Sequence, residues 1–203
     1  MEAEGRSRRS MMLGAIIVIG LVLVAAGVLV WRQWIETYHL ALVQEGVLYR
    51  DGNRGLREFA TMIRKVKPKT IVCLVDDEEI ADPEKPEFKA EMEFAKEQGI
   101  EVDRVVVKLG GWPTTEDVRK FLDVASDKNK QPVIVHCAQG VRRTGMMAAA
   151  FQESVMGWDR QKTTDAILTF GHSERSIGDV KRFIEVYDPV RREVTQRLEQ
   201  SKE

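Results

Sequence analysis

The chain has 203 residues, enough for one domain with a sizeable core plus an appendage. A formal net charge of -1 gives no global field to recruit nucleic acid, so no nucleic-acid partner is expected. Two cysteines exclude a disulfide framework, and three scattered histidines without a CxxC give no metal-site spacing, so neither metal nor organic cofactor is implied.

Taken in chain order, the first signal is an uncharged apolar run, Leu13–Val30 (LGAIIVIGLVLVAAGVLV), preceded by Arg6, Arg8 and Arg9 and followed by Trp31 and Trp34. At about 1.5 Å per residue it covers most of a roughly 30 Å hydrocarbon core, with aromatics where an interface would lie. The run predicts a transmembrane anchor over 13–34 behind a short basic tail, 1–12, and hence a single-pass membrane location. A cleaved signal peptide competes, because Ala25, Ala26 and Gly27 are small. Residues 35–45 read as a juxtamembrane linker to a domain over 46–203.

Within that domain Val47–Tyr49 reads as a short strand closing on a turn signal, Asp51-Gly52-Asn53. Leu56, Phe59, Met62 and Ile63 have helical spacing. Thr70–Val75 is a continuous apolar strand, and Phe88, Met92 and Ala95 mark a helix ending near Gly99. Val102–Val107 is a strand, Val118–Ala125 a helix, and Pro132–His136 a further buried strand. Helical stretches follow at Thr144–Met156, Thr163–Phe170 and Ile177–Leu198. Apolar strands separated by helices predict an α/β fold with a mainly parallel central sheet flanked by helices, preceded by the one transmembrane helix. Ligand sites in such sheets lie beyond the carboxyl ends of the strands.

One of those ends carries His136-Cys137-Ala138-Gln139-Gly140-Val141-Arg142-Arg143-Thr144-Gly145 between a strand and a helix. Five residues between Cys137 and Arg143 allow a loop whose backbone N–H groups turn inward as an anion nest, helped by the positive end of the next helix. Gly140 permits the tight bend. Cationic, helix-N-terminal settings lower a cysteine pKa from about 8.5 to roughly 3.5–7.5, so a thiolate is expected at Cys137. The planar fork of Arg143 suits two phosphoryl oxygens. Attack gives a phosphocysteine that water hydrolyses, with Thr144 placed to donate to the departing sulfur. Cys137, Arg143 and Thr144 are the expected catalytic residues, and Ala138, Gln139, Gly140, Val141 and Arg142 the expected phosphate-binding loop. His136 is expected to orient the loop. A reactive thiol survives best in a reducing cytosol, whereas the arginine bias puts the domain on the far side of a membrane; the side stays open.

The stretch HCAQGVRRTG resembles the signature of the protein tyrosine phosphatase superfamily in its dual-specificity branch. GVLYRDGN, KPKTIVCLVDDEE and PVIVHCAQGVRRTG are similar to segments of the plant and fungal atypical members, over roughly residues 45–190. The resemblance implies the cysteine-phosphatase fold and hydrolysis of phosphate monoesters. It implies phosphotyrosine or phosphoserine/threonine protein, or a phosphoinositide, as substrate and partner.

The family's general acid is an Asp on a mobile loop. Here Lys108-Leu109-Gly110-Gly111-Trp112-Pro113-Thr114-Thr115-Glu116-Asp117 puts Thr114 or Leu109 at that position. Loss of such an acid typically costs on the order of 10²–10⁴-fold. Glu116 or Asp117 could serve, though their spacing to Thr114 suits a helix cap. Asp76 or Asp77 lies beyond a strand end, but with Glu78 and Glu79 reads as a solvated acidic loop. A substrate with a good leaving group would need none of them. Cys73 is either a core residue or a disulfide partner for Cys137. A phosphate-binding pseudophosphatase with negligible turnover, and a rhodanese-like sulfur carrier, are the competing functions.

Overall fold

The computed structural model describes residues 2–35, 39–53 and 55–194. The chain divides into two units, Met1–Thr37 and Tyr38–Glu203. In the first, helix α1 runs over Glu2–Ile35 and contains the apolar segment. The expectations of a transmembrane anchor over 13–34, of membrane contact through it and of a single-pass membrane location are corrected here. Among the described residues no helix is long and apolar enough to cross a membrane.

The second unit holds the α/β fold. Strand β1 (Ala41–Gln44) pairs antiparallel with β2 (Leu48–Asp51). Helix α2 (Leu56–Val66) leads to β3 (Thr70–Cys73), followed by α3 (Asp77–Ala81) and α4 (Pro86–Glu97). Strand β4 (Glu101–Arg104), helix α5 (Thr115–Ser126) and strand β5 (Val133–His136) come next. Helices α6 (Arg142–Ser154), α7 (Arg160–Asp165) and α8 (Glu174–Val186) then precede a small hairpin, β6 (Tyr187–Asp188) and β7 (Glu193–Val194).

The main sheet has the order β1-β2-β5-β3-β4, with β2, β5, β3 and β4 all parallel. Both faces are covered, which is why β3 and β5 read as unbroken apolar runs. Side-chain alternation then sorts the sheet residues. Val72, Leu74, Val133, Val135 and Cys137 join Phe121, Met146, Phe151 and Phe183 from α5, α6 and α8 in the larger core. Ile71 and Ile134 meet Phe59, Met62 and Ala95 from α2 and α4 on the other face. Cys73 and Val75 pack with Phe88 there.

Two expectations change in detail. Residues read as linker form β1, an edge strand too short and too mixed in exposure to show a period. The C-terminal helix stops at Val186 rather than running to Leu198, and Pro189 lies in the hairpin that replaces it, where a proline cannot continue a helix. Residues 195–198 of that expected helix lie outside the described residues.

Phe121 is fully buried in the larger core. Phe121→Ala should therefore lower unfolding free energy by about 3–5 kcal/mol, read from the shift of a urea denaturation midpoint at unchanged slope.

Candidate active site

The loop from Cys137 to Arg143 joins the carboxyl end of β5 to the start of α6. Its shape is set from outside. The Asn53 amide donates to the Ala138 carbonyl at 2.7 Å. His39 Nδ1 lies 2.5 Å from the Gln139 carbonyl. The Arg50 Nη2 group donates to the Gly140 carbonyl at 2.7 Å and, at 3.4 Å, to that of Val141. Four successive carbonyls thus point away from the loop's interior. In a trans peptide the next residue's N–H points the opposite way, so residues 139–142 present their amides inward. One such amide is already engaged: Gly140 N–H donates to Cys137 Sγ at 3.2 Å.

Two glycines permit this fit. Gly140 has φ 68°, and a Cβ there would lie 2.3 Å from the Asp51 carbonyl oxygen. A Cβ on Gly52 would lie 2.6 Å from the Gln139 carbonyl oxygen. Two backbones touch where no side chain fits. The helix that follows has Val141 at its N-cap and no side-chain cap, leaving its first amides and dipole to the loop's contents.

Arg143 is buried and held on its outer side. Nη1 and Nη2 bind Glu79 Oε2 and Oε1 at 2.5 and 3.0 Å, and Nη1 also donates to the Val107 carbonyl at 3.0 Å. These contacts occupy Nη1 and one hydrogen of Nη2. Nε–H and the other Nη2 hydrogen remain as a two-donor edge. Glu79, read from the sequence as part of a solvated loop, is buried. It is fixed by a reciprocal cap in which the Asp76 side chain accepts from its amide at 2.8 Å. Arg142 turns elsewhere: Nε binds Asp179 at 2.5 Å and Nη2 donates to the Gly110 carbonyl at 2.6 Å. Thr144 is fully buried and its Oγ1 has no partner among the described residues.

The candidate general acids fare differently. Asp76 accepts from both the Glu79 and Leu109 amides. Burial works to raise its carboxyl, but those two amides and the Arg143 charge outweigh it and leave it below the ordinary range. Asp77 pairs with Arg104 at 3.0 Å. Asp117 closes a capping box with Thr114, accepting from the Thr114 amide at 2.8 Å and hydroxyl at 2.7 Å. Glu116 is exposed on the first turn of α5. Leu109, at the other acid position, is 66% exposed and has no acid to offer. His136 is fully enclosed against Phe59. Burial, aided by the Arg143 and Arg104 charges, lowers its imidazole to about 4, so it stands neutral and cannot relay protons near pH 7.

Cys73 is no partner for Cys137. It pairs in register with His136, so the residue after His136 projects from the opposite face, and the two thiols sit in different cores. Both are free, and burial pushes the Cys73 thiol up to about 11.

The family model described as a DSP-PTPase phosphatase fused to NAD+ kinase matches residues 45–185. The chain belongs to this family of dual-specificity phosphatases. It is accordingly a cysteine-dependent phosphatase, of the atypical plant and fungal branch. The chain is 26% identical to Inositol diphosphatase DSP4 of Arabidopsis thaliana over 76% of its own length and 74% of that protein's. It is 20% identical to the dual specificity protein phosphatase TpbA of Pseudomonas aeruginosa, over 71% of this chain and 60% of the relative. Among solved structures, the catalytic core of the PP-IP phosphatase SIW14 from S. cerevisiae superposes with a TM-score of 0.60. That match is 22% identical and covers 75% of this chain and 87% of that one, and it shows the shared fold.

Sequence reasoning found the dual-specificity loop but missed Arg50, His39 and Glu79. A buried arginine in a strand was the available signal for the first; the other two carried none.

Two outcomes are expected. Gly140→Ala combines a left-handed φ with a backbone clash, and should lower aryl phosphate turnover about 100-fold or more, the scale of losing an oxyanion donor, with the circular dichroism spectrum retained. His136 sets a pH dependence of stability. Its unfolded value is 6.5 and its folded value about 4, so between these the unfolded chain binds the extra proton. Stability is full above pH 6.5 and falls on acidification toward pH 4, by up to about 3 kcal/mol. Urea titrations from pH 7.5 to 4.5 should show the decline, and His136→Gln should flatten it.

Proposed function

We propose that this phosphatase cleaves the terminal phosphoanhydride of a multiply anionic diphosphate, of the inositol diphosphate kind, through a phosphocysteine on Cys137. The observation that carries this reading is the state of the acids. Asp76, Asp77 and Asp117 are each committed to a cap or an ion pair, and the positions of the family's acid hold Leu109 and Thr114. An alkoxide leaves only when protonated. A phosphate released from an anhydride does not need that proton, since its second pKa is about 6. The diphosphatase relative named above supports the same substrate class.

The Cys137 thiolate attacks the terminal phosphorus. An S–P bond forms, the bridging P–O bond breaks, and its electron pair leaves on the remaining phosphate. The inward amides of 139–142 and the free edge of Arg143 bind the equatorial oxygens as charge spreads over them. Water then attacks phosphorus, sulfur departs as thiolate, and the water's proton goes to solvent or to the released phosphate. Thr144 Oγ1, buried and without a partner among the described residues, is available to donate to the sulfur at that step. An aryl monoester such as phosphotyrosine also leaves without strong acid help and forms the second reading, supported by the TpbA relative. A binding-only role draws no support from a loop that aims an amide at a thiol sulfur.

The test is a comparison of phosphate release from an inositol diphosphate, a phosphotyrosine peptide and a phosphoserine peptide by the full chain. The diphosphate should have the highest kcat/KM, Cys137→Ser should abolish it, and Asp77→Asn and Asp117→Asn should stay within about threefold of wild type. A drop of 10²-fold in either carboxylate variant, the scale of a lost general acid, would refute the reading.

A further inference from the structure

We propose that Arg50 is a positioning residue of the phosphatase reaction, a second guanidinium behind the loop that sets its amides around the Cys137 sulfur. Arg50 lies on β2, outside the signature, and 90 residues from the carbonyl it binds. It is buried, and its Nη2 holds the carbonyls of Gly140 and Val141. Those two peptides supply the amides of Val141 and Arg142 to the cradle. Since the Val141 N–H follows the Gly140 carbonyl, removing Arg50 frees that peptide plane to rotate, while the Val141 carbonyl keeps its bond from the Gly145 amide at 2.9 Å.

Its own placement is enforced. The guanidinium carbon sits 5.6 Å from the centroid of the Phe170 ring, within cation–π range. Phe170 has φ 47° and stacks at 4.2 Å on His39, whose ring lies beside the Gln139 carbonyl. One aromatic platform thus supports the groups facing three of the four outward carbonyls. A buried cation is costly unless something compensates. Here burial pulls the guanidinium down to about 10, against the opposing influence of the Cys137 charge.

The test uses the full chain and two readouts. The first is the pH dependence of Cys137 alkylation by iodoacetamide; the second is kcat and KM on an aryl phosphate. Arg50→Met should move the alkylation midpoint up by about one pH unit or more, and lower kcat about 10- to 100-fold with a smaller change in KM, as for a lost preorganised donor. Arg50→Lys should recover the midpoint in part, because it keeps the charge, but not the full kcat, because a flexible ammonium lacks the planar group that seats Nη2 beside the Gly140 carbonyl. Phe170→Leu keeps Arg50 and loosens its platform, and should shift the midpoint in the same direction by less; it serves where Arg50→Met does not fold. A midpoint and kcat equal to wild type in the folded variants would overturn the proposal, even with a lower melting temperature, because packing alone then explains the residue. A wild-type chain whose Cys137 fails to alkylate selectively would instead count against the nucleophile reading on which this one rests.

Discussion

The site depends on which way four peptide planes face. Carbonyls 138–140 are each held outward by a donor from another part of the chain, that of Val141 by the Gly145 amide as well as Arg50, and the trans peptide does the rest. Without those donors a seven-residue loop of Cys, Ala, Gln, Gly, Val and two Arg has no reason to turn every amide to one side. The mutual exclusion of Cβ atoms at Gly52 and Gly140 serves the same end, because any separation of the two backbones would lengthen the Asn53–Ala138 bond. The anion nest is therefore a tertiary structure. Its inner surface comes from the signature, and its outer scaffold from β2 and from His39 and Asn53 on either side of the first hairpin.

Charge is arranged on the same principle. Arg143 does not hang free over the loop; Glu79 grips its outer edge in a bidentate pair, and the Val107 carbonyl fixes its tilt. Removing one partner of such a buried pair typically costs 3–5 kcal/mol. The guanidinium is thus fixed in place with Nε and one Nη2 hydrogen uncommitted, and no ordering of this long side chain is left for a binding step. Glu79 in turn is held by Asp76, and Asp76 by the Leu109 amide. Asp76 and Glu79, at the start of α3, thus brace Arg143 and the loop that follows β4, and neither carboxylate stands free as an acid.

What could be read from the sequence was what is local. A strand, five spacer residues, an arginine and a helix form a contiguous signature, and the buried strands β3 and β5 announce themselves as unbroken apolar runs. The capping box of Thr114 and Asp117 was also a matter of short spacing. What escaped was what folding brings together over distance. Glu79 meets Arg143 across 64 residues, and His39 meets Gln139 across 100. In the sequence Glu79 sits in an ordinary acidic run. β1 escaped because four residues at a sheet edge carry too little periodicity. The C-terminal helix was overextended because its charged residues suit either a helix or an exposed hairpin, and only Pro189 hinted at the break. The apolar segment in α1 was read from composition alone, and among the described residues no helix is long and apolar enough to cross a membrane.

The opposite projection of Cys73 and Cys137 from adjacent strands has a chemical consequence. Peroxide converts a cysteine thiolate to a sulfenic acid, and further oxidation to sulfinic and sulfonic acids is irreversible. A second thiol close by would trap the first product as a disulfide. This chain has only two cysteines, and the sheet stands between their side chains. Reversal of oxidation at Cys137 would then fall to a small thiol arriving from solvent rather than to Cys73.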